Sequence, residues 1–256
     1  MPAKTNINSN IVQSGKGVPV ILIHGLGGNL TSWDVVAGQL EKRFRVIRYD
    51  LRGHGHSDNP PGPWSLDDFV GDLKNITKQL FLEKCHLVGF SLGGLISQGF
   101  TLKYPDMLGK LVIVSAVAGR TDQERHKVIE RVKNLENGDL DTNIELAMER
   151  WFSPAFRNDH PERVKKRLDD LMANDPQGYL NAYRVFGHGD LAEKLNRITC
   201  PTLIMTGEDD PGSSVRMSEL MHREINNSRL EILPGLRHSV LVESPETIAA
   251  KIDDFL

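Results

Sequence analysis

Short apolar runs alternate with longer amphipathic segments along most of the chain. Six runs of strand length are almost continuously hydrophobic, and they cover 18–23, 45–49, 85–88, 110–114, 202–206 and 230–233. Segments with a helical spacing of apolar residues lie between them, over 32–42, 66–81, 92–103, 215–224 and 245–256. Continuous hydrophobic strands are typical of a parallel sheet that helices cover on both faces. The pattern therefore predicts an α/β fold with a doubly wound, mostly parallel sheet.

One long segment, residues 121–190, breaks this alternation. It contains no strong strand run, is rich in charged residues and helix formers, and carries aromatic residues throughout. We expect several short helices inserted between two strands, above the sheet edge at which such folds bind ligands. The predicted organisation is a core of residues 1–120 and 191–256 with a helical lid of residues 121–190, called the cap below.

The composition of the chain argues against some classes of binding partner. The chain has 256 residues, of which 39% are hydrophobic, so it can bury one large core. Its formal net charge is −3 and no basic stripe is present, which argues against nucleic acid as a partner. No apolar stretch is long enough to cross a membrane, and the first 14 residues are polar. Cys85 and Cys200 suggest free thiols. We expect a cytoplasmic protein without a membrane partner.

The most specific motif is the pentapeptide Gly89-Phe90-Ser91-Leu92-Gly93. It lies between a predicted strand and a predicted helix, the context in which a strained turn exposes a serine hydroxyl above the sheet. Because a hydroxyl is a weak nucleophile at neutral pH, it needs a base and a group that orients the base. The pentapeptide therefore predicts Ser91 as a nucleophile.

Two loops after later strands carry suitable partners for Ser91. His238 follows the strand that ends at 233, and the acidic residues Glu208, Asp209 and Asp210 follow the strand over 202–206. The chain order serine, acid, histidine is that of doubly wound hydrolases. We expect His238 to be the base and one of these three carboxylates to orient it.

Acyl transfer also needs donors for the oxyanion of the tetrahedral intermediate. The N–H of Leu92 follows the nucleophile and opens a helix, whose positive end favours negative charge. The Gly-rich loop over 24–28 follows the first strong strand, and Leu26 lies in its middle. Leu26 and Leu92 are therefore the predicted oxyanion donors.

Taken together, these stretches resemble the α/β-hydrolase fold family along nearly the whole chain. The resemblance rests on 20–27, on the Asp-Leu-Arg-Gly-His-Gly-His-Ser stretch over 50–57, on 87–94, and on the loops of Asp210 and His238. It implies that the acid is Asp210, which lies three residues after the glycine that ends its strand. It also implies a reaction that needs no metal and no organic cofactor, and no metal-ligand spacing occurs in the sequence.

Within that family the chain is most similar to 3-oxoadipate enol-lactonases and their carboxylesterase relatives. The cues are Arg150-Trp151-Phe152 in the cap and the Asp-Pro pair at 175–176. The resemblance implies a small ester or enol-lactone substrate that bears a carboxylate, in aromatic compound catabolism. Arg150 or Arg184 would pair with that carboxylate, the alternative being that both lie on the solvated side of the cap helices. Trp151 and Phe152 would form either the pocket wall or the core of the cap. We expect a monomer or a homodimer.

The same residues are compatible with three other functions. One is hydrolysis of a carbon–carbon bond in a ring-cleavage product, and another is a haloperoxidase-like or perhydrolytic reaction. The third is a ligand receptor of the same fold. Turnover of a simple ester separates the receptor from the enzymes, because a receptor stops after about one equivalent.

Overall fold

The protein folds around one seven-stranded sheet in the computed structural model, which describes residues 6–138 and 140–256. Residues 1–5 of the predicted core and residue 139 of the predicted cap lie outside the described residues. The strands are β1 Ile11–Ser14, β2 Val18–Ile23, β3 Phe44–Tyr49, β4 Cys85–Phe90, β5 Leu108–Val114, β6 Thr202–Gly207 and β7 Ser228–Leu233. Their order is β1-β3-β2-β4-β5-β6-β7, and only the β1–β3 pair is antiparallel. The predicted doubly wound, mostly parallel sheet is confirmed.

Helices connect these strands and carry the cap. They are α1 Asp34–Leu40, α2 Leu66–Gln79, α3 Leu92–Lys103, α4 Asp122–Glu136, α5 Leu140–Trp151, α6 Pro154–Asp159, α7 Pro161–Met172, α8 Pro176–His188, α9 Val215–Glu224, α10 Val240–Glu243 and α11 Pro245–Phe255. Three 3₁₀ turns add Leu30–Trp33, Pro105–Met107 and Ala192–Arg197. The five helices from α4 to α8 all lie between β5 and β6, where the sequence predicts an insertion.

Alternate residues of the strands supply two buried layers, one on each face of the sheet. Ile21 and Ile23 of β2 pack in a layer with α2, α3 and α9. Val20 and Leu22 of the same strand pack in the opposite layer with α1 and α11. Because the last four residues of β2, from Val20 to Ile23, are fully buried on both faces, this part of the strand needs a continuous hydrophobic run, which is the pattern in its sequence.

Some elements differ from the sequence prediction. Strand β1 was not expected; its four residues are at best half-buried, because it is an edge strand paired on one side only. The helix predicted over 32–42 begins as the 3₁₀ turn Leu30–Trp33 and becomes helical at Asp34. Within the part of the chain described, no helix is long and apolar enough to span a membrane.

Candidate active site

Ser91 occupies the turn between β4 and α3 with a strained backbone. Its φ is +54° and its ψ is −113°, a conformation that residues with a side chain adopt rarely and at a cost of about 1–3 kcal/mol. The flanking glycines make the turn possible, because a Cβ on Gly93 would collide with the carbonyl oxygen of Ile23. A Cβ on Gly89 would collide with the carbonyl oxygen of Gly93. The pentapeptide therefore fixes Ser91 at the carboxyl edge of the sheet.

The structure brings Ser91, His238 and Asp210 into one hydrogen-bonded line. The Nε2 atom of His238 lies 3.1 Å from the Oγ of Ser91. The Nδ1 atom of His238 lies 2.7 Å from Oδ2 of Asp210. Since a carboxylate only accepts hydrogen bonds, Nδ1 carries the proton and Nε2 is free to accept the serine proton. The ring is therefore oriented as a general base requires.

Asp210 is buried and its carboxylate is fully engaged. Its Oδ1 atom accepts hydrogen bonds from the backbone N–H groups of Gly212 (2.8 Å) and Ser213 (2.9 Å), while Oδ2 faces His238. The neighbouring candidates lie elsewhere, since Asp209 is exposed and Glu208 accepts a hydrogen bond from the N–H of Gly235. Of the three carboxylates proposed from the sequence, only Asp210 contacts the histidine ring.

The end of α5 holds the histidine loop in place. The N–H of Ser239 donates to the carbonyl of Trp151 at 2.9 Å, and the N–H of His238 approaches the carbonyl of Arg150 at 3.4 Å. The carboxylate of Glu243 accepts from the backbone N–H of Arg237 at 3.1 Å. The cap therefore helps to position the base as well as to enclose the pocket.

Two buried histidines fix the loop that contains Leu26. The Nε2 atom of His24 accepts the N–H of Leu51 at 2.9 Å, and that of His54 accepts the N–H of Gly27 at 3.0 Å. The other nitrogen of each ring donates to a main-chain carbonyl. Burial lowers the pKa of His24 to about 4 and that of His54 to about 3. Both rings are therefore neutral at physiological pH, as their acceptor nitrogens require.

Arg167 of α7 binds the same loop from the cap. Its guanidinium donates to the carbonyls of Gly27 (2.8 Å) and Leu26 (3.0 Å), and it lies 4.2 Å from the ring of Trp151. The carbonyl of Gly25 accepts the N–H of Gly28 at 3.2 Å. The N–H of Leu26, in contrast, donates to no described residue. It is thus an unsatisfied donor in a loop whose Gly27 N–H and Leu26 and Gly27 carbonyls are all hydrogen-bonded.

This loop lies directly beside the nucleophile. A Cβ on Gly25 would come within 2.8 Å of the Phe90 ring and 3.1 Å of the Cβ of Ser91. Leu92 is the first residue of α3, so its N–H has no intrahelical acceptor. Both predicted oxyanion donors are therefore available near Ser91.

A cavity of about 130 Å³ opens onto the triad, between the core and the cap. Leu26, Arg150 and Trp151, which the sequence singled out, line it. Arg184 does not line it and forms a salt bridge with Glu136. Sequence reasoning did not anticipate several further lining residues, which are Arg120, Lys127, Arg131, Arg167, Tyr179 and Tyr183. In the described part of the chain, no three His, Cys, Asp or Glu side chains cluster as metal ligands.

Comparisons with known proteins agree with this architecture. The family model of the alpha/beta hydrolase fold matches residues 18–245. The chain is 33% identical over 246 residues to the (E)-2-((N-methylformamido)methylene)succinate hydrolase of Acinetobacter baylyi, across 95% of this chain and 92% of the relative. It is 29% identical over 227 residues to 3-oxoadipate enol-lactonase 2 of the same organism, across 89% and 84%.

The crystal structure of an enol-lactonase from Burkholderia xenovorans superposes with a TM-score of 0.91. It covers 96% of this chain and 95% of that chain at 22% identity, a likeness that shows the fold.

Proposed function

Since the chain belongs to the alpha/beta hydrolase fold family, and is a hydrolase, we propose that it is a serine hydrolase of small-molecule carboxylic esters or enol-lactones. One observation carries the proposal: Ser91, His238 and Asp210 form a continuous hydrogen-bonded line that opens onto the cavity. A nucleophile, a base and an orienting carboxylate in this geometry are the arrangement that acyl transfer needs.

The proposed reaction has two halves. In the first, Ser91 attacks the ester carbonyl while Nε2 of His238 takes the serine proton, and the oxyanion binds the N–H groups of Leu26 and Leu92. The alcohol or enol leaves with that proton, and an acyl-enzyme remains. In the second half His238 removes a proton from water, and the resulting hydroxide attacks the acyl carbon. The acid is then released as His238 returns the proton to the Oγ of Ser91. Asp210 stabilises the imidazolium in both halves.

Carboxylates are the substrate chemistry that the pocket and the relatives favour. The two Acinetobacter baylyi relatives are named for a substituted succinate and for an enol-lactone of 3-oxoadipate. Arg150 lines the cavity next to the histidine loop, and a guanidinium suits bidentate binding of a carboxylate. We therefore propose a substrate that carries a carboxylate in addition to the bond that is cleaved.

The test is sustained ester turnover that depends on Ser91. Wild-type protein should hydrolyse p-nitrophenyl acetate over many cycles, and Ser91→Ala should lower kcat by about 10⁶-fold. Ser218→Ala is a matched control, because Ser218 is also buried and its hydroxyl has no partner among the described residues. Release of only one equivalent by wild type would indicate a ligand receptor, and an active Ser91→Ala would exclude the nucleophile.

A further inference from the structure

The pocket carries an excess of positive charge. Five basic side chains line it, namely Arg120, Lys127, Arg131, Arg150 and Arg167, against two acidic ones, Glu124 and Asp210. The whole chain, in contrast, has a formal net charge of −3. Cations are therefore concentrated at the cavity that opens onto Ser91, where they raise the local concentration of anions.

Neither acidic side chain forms a salt bridge with these arginines, although the charge of Asp210 acts on Arg150. Glu124 pairs with Arg216, and Asp210 is bound to His238. Within the described chain, Arg120, Arg131 and Arg150 form no salt bridge with a carboxylate. Buried or half-buried guanidinium groups without an anion are costly, since charge leaves water without a compensating partner. An anionic ligand would supply that partner.

Arg120 provides the clearest unused donor. The residue is only 8% exposed, and its Nη1 atom donates to the carbonyls of Phe186 (2.9 Å) and Gly189 (3.0 Å). Its Nη2 atom is buried and has no partner among the described residues, although Arg120 lines the cavity. Burial lowers the pKa of Arg120 to about 10, so the group stays charged at neutral pH. A buried unpaired donor of this kind calls for an explanation.

The charge of Arg131 acts on both Arg120 and Arg150. Arg131 lies on α4, and its Nε–H group donates to the hydroxyl of Tyr183 at 3.0 Å. This hydrogen bond holds the Arg131 side chain in the wall of the pocket. Burial is the main cause that lowers the pKa of Arg120 and of Arg150, and the charge on Arg131 lowers both further. The guanidinium group of Arg131 thus repels those of both Arg120 and Arg150, and all three line one cavity.

We propose that Arg120 and Arg131 form an anion subsite separate from Arg150, and that the substrate therefore carries two carboxylates besides the bond that is cleaved. The inference deepens the proposed function and rests on it. Arg150 lies at the end of α5 beside the histidine loop, whereas Arg131 lies on α4 and Arg120 just before that helix. One carboxylate binds on each side, and together they neutralise the three arginines.

Binding to the Ser91→Ala variant tests the subsite without turnover. Calorimetry with succinate, glutarate and adipate is compared with butyrate and with inorganic phosphate. The best dicarboxylate should bind at least about ten-fold more tightly than butyrate, since a charge-assisted pair adds this much or more. A dicarboxylate that binds no more tightly than butyrate overturns the proposal. Tighter binding of phosphate overturns the assignment to carboxylates.

Substitution on α4 locates the second carboxylate. Adding Arg131→Gln should reduce dicarboxylate affinity at least about ten-fold and change butyrate affinity less than about three-fold. Arg131→Lys should restore part of the loss, and Arg184→Gln, which removes an arginine outside the pocket, should leave affinity unchanged. Equal losses for Arg131→Gln and Arg184→Gln overturn the proposal.

Activity on a neutral ester separates the two proposals. Hydrolysis of p-nitrophenyl acetate by wild type reports the proposed hydrolase function, and a far-UV circular dichroism spectrum of Arg131→Gln that matches that of wild type shows that the variant is folded. If wild type fails to turn over this ester while dicarboxylates bind, the proposed hydrolase function is wrong and the subsite stands. If turnover is normal and dicarboxylates do not bind, the subsite is wrong and the hydrolase function stands.

Discussion

The Asp210→Asn substitution tests the hydrogen-bonded line of Ser91, His238 and Asp210, because it replaces one carboxylate oxygen by an NH₂ group. Oδ1 of Asp210 accepts two backbone N–H groups, from Gly212 and Ser213, so an amide nitrogen there would face two donors. The asparagine in Asp210→Asn must therefore keep its oxygen at that position and turn its NH₂ group toward Nδ1 of His238. The surroundings fix the orientation of the new amide, and it cannot rotate to rescue the histidine.

In the Asp210→Asn variant, His238 would therefore adopt the tautomer that cannot act as a base. An NH₂ group opposite Nδ1 requires Nδ1 to accept a hydrogen bond, which places the ring proton on Nε2, 3.1 Å from the Oγ of Ser91. Nε2–H then donates to the Oγ of Ser91, and His238 cannot take the serine proton. The same substitution in another Ser-His-Asp enzyme lowers kcat by about 10⁴-fold, and we expect a loss of that order.

Steady-state hydrolysis of p-nitrophenyl acetate at neutral pH measures the loss. Asp209→Asn is the matched control, because Asp209 precedes Asp210 directly and is exposed. It should retain kcat within about two-fold, since exposed substitutions away from partners change little. An Asp210→Asn variant within ten-fold of wild type, or an equally damaged Asp209→Asn, would refute the assignment of the acid.

Three further expectations concern the supports of the site. Arg167→Gln should lower kcat on a neutral ester about 10–100-fold with little change in KM, because the carbonyl of Leu26 loses its hydrogen-bond partner. An unchanged kcat would contradict the role of Arg167 in holding the Leu26 loop. Between pH 6.5 and about 3 the unfolded chain protonates His54 while the native protein does not, so stability should fall as pH falls. Urea midpoints at pH 7 and pH 5 should differ less in His54→Asn than in wild type, and an equal difference would oppose the reasoning. Gly93→Ala should destabilise the protein by about 1–3 kcal/mol in urea unfolding, whereas Gly71→Ala, with open space around the added Cβ, should not.

The proposed catalytic residues were accessible to sequence reasoning because each one lies on the turn or loop that follows a strand. Mostly apolar runs mark β4, β6 and the end of β7, and parallel strands present their carboxyl ends at one edge. Ser91, Asp210 and His238 could therefore be placed near one another before any coordinates. The choice of Asp210 over Asp209 depended on family resemblance, because adjacent residues differ in direction and only the backbone geometry of the loop fixes which one points inward.

The sequence could not show in the same way which arginines line the pocket. The chain has 31 Lys and Arg residues, and those of the cap lie on amphipathic helices whose packing the sequence leaves open. Arg150 and Arg184 were equivalent candidates, yet one lines the cavity and the other pairs with Glu136. Arg131 lines the cavity because α4 packs against α8, where the hydroxyl of Tyr183 accepts its Nε–H. Such a contact depends on helix orientation, which short-range periodicity does not encode.

The cap is part of the catalytic frame as well as a wall of the pocket. Through Arg167, α7 binds the loop that presents the N–H of Leu26, and the end of α5 binds the backbone of the His238 loop. Displacing these two helices would release the proposed oxyanion donor and the proposed base together, whereas α4 supplies only charge and shape to the pocket. Loss of activity on removal of the whole cap would therefore say nothing about substrate recognition. Single substitutions on α4 isolate recognition because they leave both catalytic loops supported.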